Sequence, residues 1–307
     1  EYAPSYAAVG IGTSGTTGGP KEVLLTSTAL ISSARASNKF IGAQSGDTWS
    51  LLLPLTHIAA VNVIVRSMEL GTTPIDLRDF AGEFPKANYT AIVPTQLFRA
   101  INGDQRLLNH LRSTKAVLVG GAALSEGLRN QAELAGIKVI TTYGMTETCG
   151  GCVYDGIPLE GVQVEIRNEQ ICIKGPVLAS SIPLNDGWFE TSDVGEFKND
   201  HLVVIGRSDD VIISGGENLS LSAVENSLSL AFPDTQFAAF AIEDSQWGQS
   251  LQLAVVGTIS DDQITAHLEK ELGYFAKPKG IHHMTSLPLL GIGKIDRKSL
   301  AKGFANE

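Results

Sequence analysis

Cysteine is scarce in this sequence, and the scarcity excludes a disulfide-stapled fold: Cys149, Cys152 and Cys172 cannot frame 307 residues. Cys149-Gly150-Gly151-Cys152 has redox or zinc spacing, yet a structural zinc needs four ligands, and no second Cys or His pair stands at a suitable distance. The pair reads as two small residues near a pocket, in a reducing, cytoplasmic compartment. Basic clusters are missing as well. With 23 Lys and Arg against 33 Asp and Glu, the formal charge is −10, which argues against a nucleic-acid partner. No apolar run approaches the roughly 18 residues of a membrane span. No basic region followed by an apolar segment opens the chain as a secretory signal does. Repeats and low-complexity tracts are absent. What remains is a 43% apolar chain, long enough for about two domains and compatible with a homo-oligomer.

The stretch richest in chemistry is Thr13-Ser14-Gly15-Thr16-Thr17-Gly18-Gly19-Pro20-Lys21. Its glycines let backbone N–H groups approach a ligand closely, its hydroxyls add donors, and its lysine is a mobile point charge for phosphate oxygens. It is not a Walker A loop, because Glu22 follows Lys21 where a metal-binding Ser or Thr is required. Tyr6–Ile11 before it reads as a strand, and Glu22–Phe40 after it as a helix. Further strands are expected at Thr48–Leu55, Thr73–Leu77, Ala91–Val93, Ala116–Val119 and Lys138–Thr142, with helices at Ala60–Leu70, Thr95–Ile101 and Ser125–Ala135. Such alternation indicates a largely parallel sheet whose sites collect at strand C-terminal ends. After Tyr143 the texture changes. Val162–Arg167 and Gln170–Lys174 alternate around Asn168-Glu169, a hairpin signal, and His201–Ile205 adds a short strand. Beyond Arg207, helices at Leu221–Leu230 and Asp261–Leu272 with strands at Phe237–Ile242 and Leu251–Gly257 make a separate α+β module.

Several strand ends carry chemistry of their own. Val119-Gly120-Gly121-Ala122 would let a flat ring lie on the backbone. Thr142-Tyr143-Gly144-Met145-Thr146-Glu147-Thr148 places an aromatic, a hydroxyl and a carboxylate in succession. Asp193 closes Asp186–Asp193, and Arg207 and Asp209 stand in Gly206-Arg207-Ser208-Asp209-Asp210. Ser214-Gly215-Gly216-Glu217-Asn218 and Gly291-Ile292-Gly293-Lys294-Ile295-Asp296-Arg297 complete the set.

Taken in order, these segments resemble the adenylate-forming superfamily of acyl-CoA synthetases, luciferases and adenylation domains. The resemblance implies an α/β fold: a large N-terminal domain with mostly parallel sheets flanked by helices plus a small β-hairpin region, and a small α+β C-terminal lid. Residues 1–207 would bind ATP and the acyl substrate, and residues 208–307 would form a mobile lid with the catalytic lysine, Lys294. It further implies ATP, Mg²⁺ and CoA as cofactor and co-substrates. Thr13, Ser14, Gly15, Thr16, Thr17, Gly18 and Lys21 would hold phosphates. Gly120, Gly121, Ala122, Tyr143 and Gly144 would hold the adenine. Thr146 would meet the α-phosphate, Glu147 the magnesium, Asp193 the ribose, and Arg207 the ribose or phosphate. Asp209 would be the hinge, and Gly215 and Gly216 the loop of the CoA step. Ser192 replaces the usual glycine before Asp193. Relatives also carry a substantial region ahead of the phosphate loop, where 12 residues stand here. A natural shortening or a trimmed chain is expected, the latter fitting the initial Glu1.

Leu53-Pro54-Leu55-Thr56-His57-Ile58, followed by Val63-Ile64-Val65-Arg66-Ser67 and Glu69-Leu70-Gly71, resembles the o-succinylbenzoate–CoA ligases of menaquinone biosynthesis. That likeness implies that His57 and Gly144 lie near the small-molecule carboxylate substrate and that Arg66 contacts its second carboxylate. On an apolar helix, a guanidinium is expensive to bury without an anion, though it can also snorkel to the surface. Alternatives stay open: a synthetase for another acyl or aryl acid, a stand-alone adenylation domain, or a degenerate nucleotide-binding protein.

Overall fold

The computed structural model describes residues 8–13, 21–214, 216–244, 248–290 and 295–304. The chain divides into two compact units. The first holds Glu1–Leu124, Gln131–Thr191 and Glu196–Val203; the second holds Ser125–Asn130, Ser192–Gly195 and Val204–Glu307.

Strands β1 (Ala8–Thr13) and β2 (Lys21–Thr26) pair antiparallel, with Thr13 opposite Lys21 and residues 14–20 joining them. Residues 22–26 are therefore strand, correcting the helix expected over Glu22–Phe40. Val23 and Leu25 are buried while Glu22 and Leu24 are exposed, and that period of two belongs to a strand. Helix α1 (Ser27–Phe40) begins only after Thr26, whose hydroxyl accepts from the Ala29 N–H at 3.1 Å.

Next come β3 (Trp49–Leu51), α2 (Ile58–Glu69), β4 (Ile75–Asp76), β5 (Tyr89–Ile92), α3 (Pro94–Ile101), α4 (Gln105–Ser113), β6 (Ala116–Gly120), α5 (Glu126–Leu134), β7 (Val139–Met145), β8 (Gly150–Tyr154) and β9 (Ile157–Pro158). Their seven strands form one sheet in the order β4-β3-β5-β6-β7-β8-β9. Pairs out to β7 are parallel, and β8 and β9 add antiparallel. Trp49, Leu51, Tyr89, Ala91, Leu118 and Ile140 share its core, as expected of short apolar strands covered on both faces. β3 is shorter than the apolar run over 48–55, since Pro54 has no N–H to continue a ladder. Helix α4 had no counterpart in the expected elements. Asp104 caps it by accepting from the Leu107 N–H at 3.0 Å, and Leu107, Leu108 and Leu111 face inward.

β10 (Gln163–Arg167) and β11 (Gln170–Lys174) form the expected hairpin, with Asn168 and Glu169 at φ 49° and 66°, the left-handed pair of a type I′ turn. β12 (Phe189–Lys198) and β13 (His201–Arg207) complete a four-stranded sheet in the order β10-β11-β12-β13.

The second unit contains β14 (Val211–Ser214), β15 (Glu217–Ser220), α6 (Leu221–Ala231), β16 (Gln236–Asp244), β17 (Gly248–Val256), α7 (Asp261–Leu272), β18 (Gly280–His283) and α8 (Arg297–Phe304). Its sheet runs β15-β14-β17-β16, with β18 parallel to β17. Alternation along β16 and β17 assigns the two faces. Phe237, Ala239, Leu251, Leu253 and Val255 pack with α6 and α7, while Ala238, Phe240 and Ala254 pack with Leu300 of α8. Among the described residues no helix is long and apolar enough to cross a membrane.

Candidate active site

Parallel pairing of β6 with β7 sets Gly120 opposite Thr142, so Gly121 and Ala122 leave the sheet at its C-terminal edge beside Tyr143 and Gly144. β7 runs on to Met145, which makes Tyr143 and Gly144 strand residues. The chain then reverses through a 3₁₀ turn, Thr146–Thr148, and returns as β8. A Cβ on Gly144 would collide with the Gly150 carbonyl oxygen, so only glycine permits so close a reversal. Buried Thr148 staples the turn. Its hydroxyl accepts from the Met145 N–H at 2.9 Å and donates to the Gly150 carbonyl at 2.7 Å. From below, Ser33 Oγ and Asn62 Nδ2 donate to the Cys149 carbonyl at 3.1 and 2.5 Å. Thr146 and Glu147 thus stand half-buried on a turn fixed from two helices.

The same turn shares a core with the glycine-loop hairpin. Ile11, Val23 and Leu25 pack with Leu30 of α1, Ile58 of α2 and Cys149. One hydrophobic cluster therefore gathers the stem of the glycine-rich stretch, the start of α2 beside half-buried His57, and the turn carrying Thr146 and Glu147. Ser14, Gly15, Thr16, Thr17 and Gly18 lie outside the described residues, as do the side chains of Thr13 and Lys21.

Arg66 is 3% exposed, so it does not snorkel. Its Nη2 donates to the Tyr154 hydroxyl at 2.9 Å, which in turn lies 2.8 Å from Ser37 Oγ, and the guanidinium sits 5.1 Å from the Trp49 ring centroid. Among the described residues no carboxylate pairs with it, and its buried Nε has no hydrogen-bond partner. Asn62, one turn earlier on the same face, likewise keeps a buried Oδ1 without a partner. A buried guanidinium without a counter-ion costs several kcal/mol, and its spare Nε donor suits a carboxylate, while Asn62 Oδ1 is an acceptor that calls for a donor instead. Asn62 and Tyr154 were not among the expected site residues. The i, i+4 spacing of two polar groups on an otherwise apolar helix was the available signal for Asn62; Tyr154 gave none.

In the second unit, Arg207 Nη1 approaches Asp193 Oδ1 at 3.4 Å, with the carboxylate side chain 10% exposed and the guanidinium 43%. Asp209 follows in the turn Ser208–Asp210, and Gly216 is an exposed turn residue at φ +88°. Lys294 and Gly215 lie outside the described residues, as does the side chain of Asp209. The Cys149 and Cys152 thiols are wholly buried, and burial pushes each up to about 12, which keeps them protonated at neutral pH and without thiolate reactivity. No three His, Cys, Asp or Glu side chains group to cage a metal among the described residues. Glu147 as a lone carboxylate fits a Mg²⁺ ion that draws its other oxygens from phosphate and water.

The AMP-binding enzyme family matches residues 3–180. The "probable 2-succinylbenzoate–CoA ligase" of Mycobacterium tuberculosis is 36% identical over 98% of this chain and 85% of its own length. A variant of E. coli MenE with bound OSB-AMS superposes with a TM-score of 0.83 at 27% identity, covering 97% of this chain and 68% of the other. The o-succinylbenzoate CoA synthetase of Bacillus subtilis, in complex with the acyl-adenylate intermediate OSB-AMP, gives 0.78 at 26%, covering 95% and 68%. The same synthetase with ATP and magnesium gives 0.77 at 26%, covering 95% and 69%.

Proposed function

The chain belongs to the AMP-binding enzyme family, and from that premise we propose that it is an AMP-forming o-succinylbenzoate–CoA ligase of menaquinone biosynthesis. The observation that carries the substrate is Arg66: a buried guanidinium, unpaired with any described carboxylate, on the helix whose Asn62 holds the Thr146–Glu147 turn. A dicarboxylate presents one acid for activation and leaves the other to be neutralised, and a guanidinium answers the second need in bidentate geometry.

In the first half-reaction a carboxylate oxygen of the substrate attacks the α-phosphorus of ATP, and pyrophosphate leaves. The glycine loop with Thr16, Thr17 and Lys21 holds the β- and γ-phosphates, Thr146 the α-phosphate, and Lys294 the charge developing between acid and phosphorus. Mg²⁺ supplies charge neutralisation on the phosphates, with Glu147 as its protein ligand. Tyr143 and the Gly120–Ala122 backbone sandwich the base, and Asp193 and Arg207 receive the ribose. In the second half-reaction the thiolate of CoA attacks the acyl carbonyl and AMP leaves. Residues 208–307 act as the lid, pivoting at Asp209 so that Lys294 withdraws and the Gly215-Gly216 loop is presented. His57 stands near the reacting carboxylate and the thiol path. A cytoplasmic location fits the acidic chain and its three thiols.

A panel of carboxylates scored for pyrophosphate release, with and without CoA, tests the assignment. Arg66→Ala is expected to raise KM for o-succinylbenzoate by about 100-fold, matching loss of a charged hydrogen-bonded pair, with KM for ATP little changed. Equal turnover of wild type and variant on o-succinylbenzoate would remove the substrate assignment and leave the adenylating reading standing.

A further inference from the structure

Ile295 forms an antiparallel bridge with Leu289, and the Asp296 N–H donates to the Pro288 carbonyl at 2.9 Å. The residues that flank the stretch containing Lys294 are therefore stapled to each other. Asp296 then caps α8, accepting from the Ser299 N–H and hydroxyl at 3.0 and 2.7 Å. Arg297 comes next and reaches three elements. Its Nε donates to the Ala239 carbonyl of β16 at 2.9 Å. Its Nη2 donates to Glu225 Oε2 of α6 at 2.7 Å, and Nη1 lies 3.8 Å from Asp210 Oδ2. The other oxygen of Glu225 accepts from the Ala239 N–H at 2.8 Å. Arg297 and Glu225 thus close a ring on both polar groups of one β16 residue. Asp210 is held a second time, by Ser222 Oγ at 3.4 Å.

Apolar contacts dock α8 as well. Leu300 is buried, and Phe304 stacks on His282 at 3.8 Å and lies 6.0 Å from Phe240. Burial pushes the Glu225 carboxyl above the usual carboxylate range even with Arg297 opposing it. A charged pair kept at that cost, three residues beyond Lys294, calls for a purpose besides holding the helix.

We infer that Arg297 is a positioning residue: it fixes the base of the Lys294 segment to the lid core and to Asp210 at the end of the turn after Arg207, so that pivot and lysine move as one body. This rests on the reading of Lys294 as the adenylating lysine. The test uses the full chain with Arg297→Met, Arg297→Lys and Glu225→Gln, and separates the two half-reactions. For Arg297→Met, kcat of pyrophosphate formation is expected to fall by about 100-fold with KM for ATP and acid unchanged, the size of a lost ångström of alignment. Thioester formation from supplied acyl-adenylate and CoA should stay near wild type. Arg297→Lys should rescue little, because an ammonium cannot span a carbonyl and two carboxylates. Glu225→Gln, which keeps the shape, should lose about tenfold in the first half-reaction alone. Tryptic cleavage after Lys294 in the ligand-free protein should quicken in Arg297→Met, a readout independent of activity. Equal losses in both half-reactions, full rescue by lysine, or unaltered cleavage overturns the inference. Absence of pyrophosphate release by wild type with every acid would instead remove the functional reading and the alignment role with it, while the cleavage comparison would still decide whether Arg297 anchors the base of the segment.

Discussion

Two turns of the same kind, each a single 3₁₀ turn at the end of a long strand, are held in opposite ways. Thr146–Thr148 after β7 has a buried threonine stapling its backbone and two helices gripping the next carbonyl. Among the described residues, Ser208–Asp210 after β13 is tied by an exposed Ser208 hydroxyl donating to the Ser192 carbonyl at 3.0 Å and by Asp210 to Ser222 and Arg297. Three of the four holds on the first are buried hydrogen bonds, for which loss leaves a partner stranded. On the second, the Ser208 hydrogen bond is exposed and water can replace it at little cost, while the part-buried holds on Asp210 tie the far end of the turn to α6 and Arg297. A frame that must present a hydroxyl and a carboxylate to a phosphate needs the first arrangement. The pivot proposed at Asp209 is served by the second.

The sharpest way to break the contrast is to deform the rigid turn. Gly144→Ala should cut pyrophosphate release to about 1% or less of wild type, since the new methyl must displace the Gly150 carbonyl and shift the turn by about an ångström. A normal rate would mean that the turn tolerates movement. Stiffening the second turn should be selective. Asp209→Pro is expected to lower thioester formation by about 100-fold and to leave adenylation nearly intact, as loss of a hinge torsion does. Parallel losses in both steps would count against a pivot there.

Stability gives smaller effects. Thr148→Val strands the Met145 N–H and the Gly150 carbonyl, at about 1–3 kcal/mol in thermal or denaturant unfolding. A change within about 0.5 kcal/mol would show the staple to be dispensable. The thiols under the first turn supply a pH signature. Cys149 and Cys152 are pushed by burial from 9.0 to about 12. Unfolded thiols ionise above pH 9 while folded ones stay protonated, so the unfolded chain binds fewer protons and stability falls as pH rises from 9 to 12. The slope is on the order of 1.4 kcal/mol per pH unit for each thiol. Below pH 9 the two contribute no slope. Cys152→Ala should flatten the alkaline decline, seen as denaturant midpoints across that range; an unchanged slope would mean that the thiol is reached by water.

The sequence makes the parallel sheet, the Asn168-Glu169 hairpin and the α7 bounds legible, because each rests on local periodicity or turn chemistry. Residues 22–26 are misread because Val23-Leu24-Leu25 satisfies either period over so short a run, and pairing with β1 decides it. Helix α4 is hidden by its polar content, and only the Asp104 cap and three leucines mark it. For the site, Arg66 is legible as an anomaly in an apolar helix. Tyr154 is not, since its role comes from β8 folding back beside α2, a contact 88 residues long in the chain.

Asn62 and Arg66 share one face of α2, a single turn apart. On the proposal that Arg66 receives the second carboxylate, replacing it to adapt this scaffold to a monocarboxylic acid would leave the amide that props the Cys149 carbonyl in place, provided the helix backbone does not rotate. Substitutions that repack α2 would disturb selectivity and rate together. Retuning of which acid is accepted is therefore expected to succeed at Arg66 and its Tyr154 and Trp49 neighbours before it succeeds at the residues around Asn62.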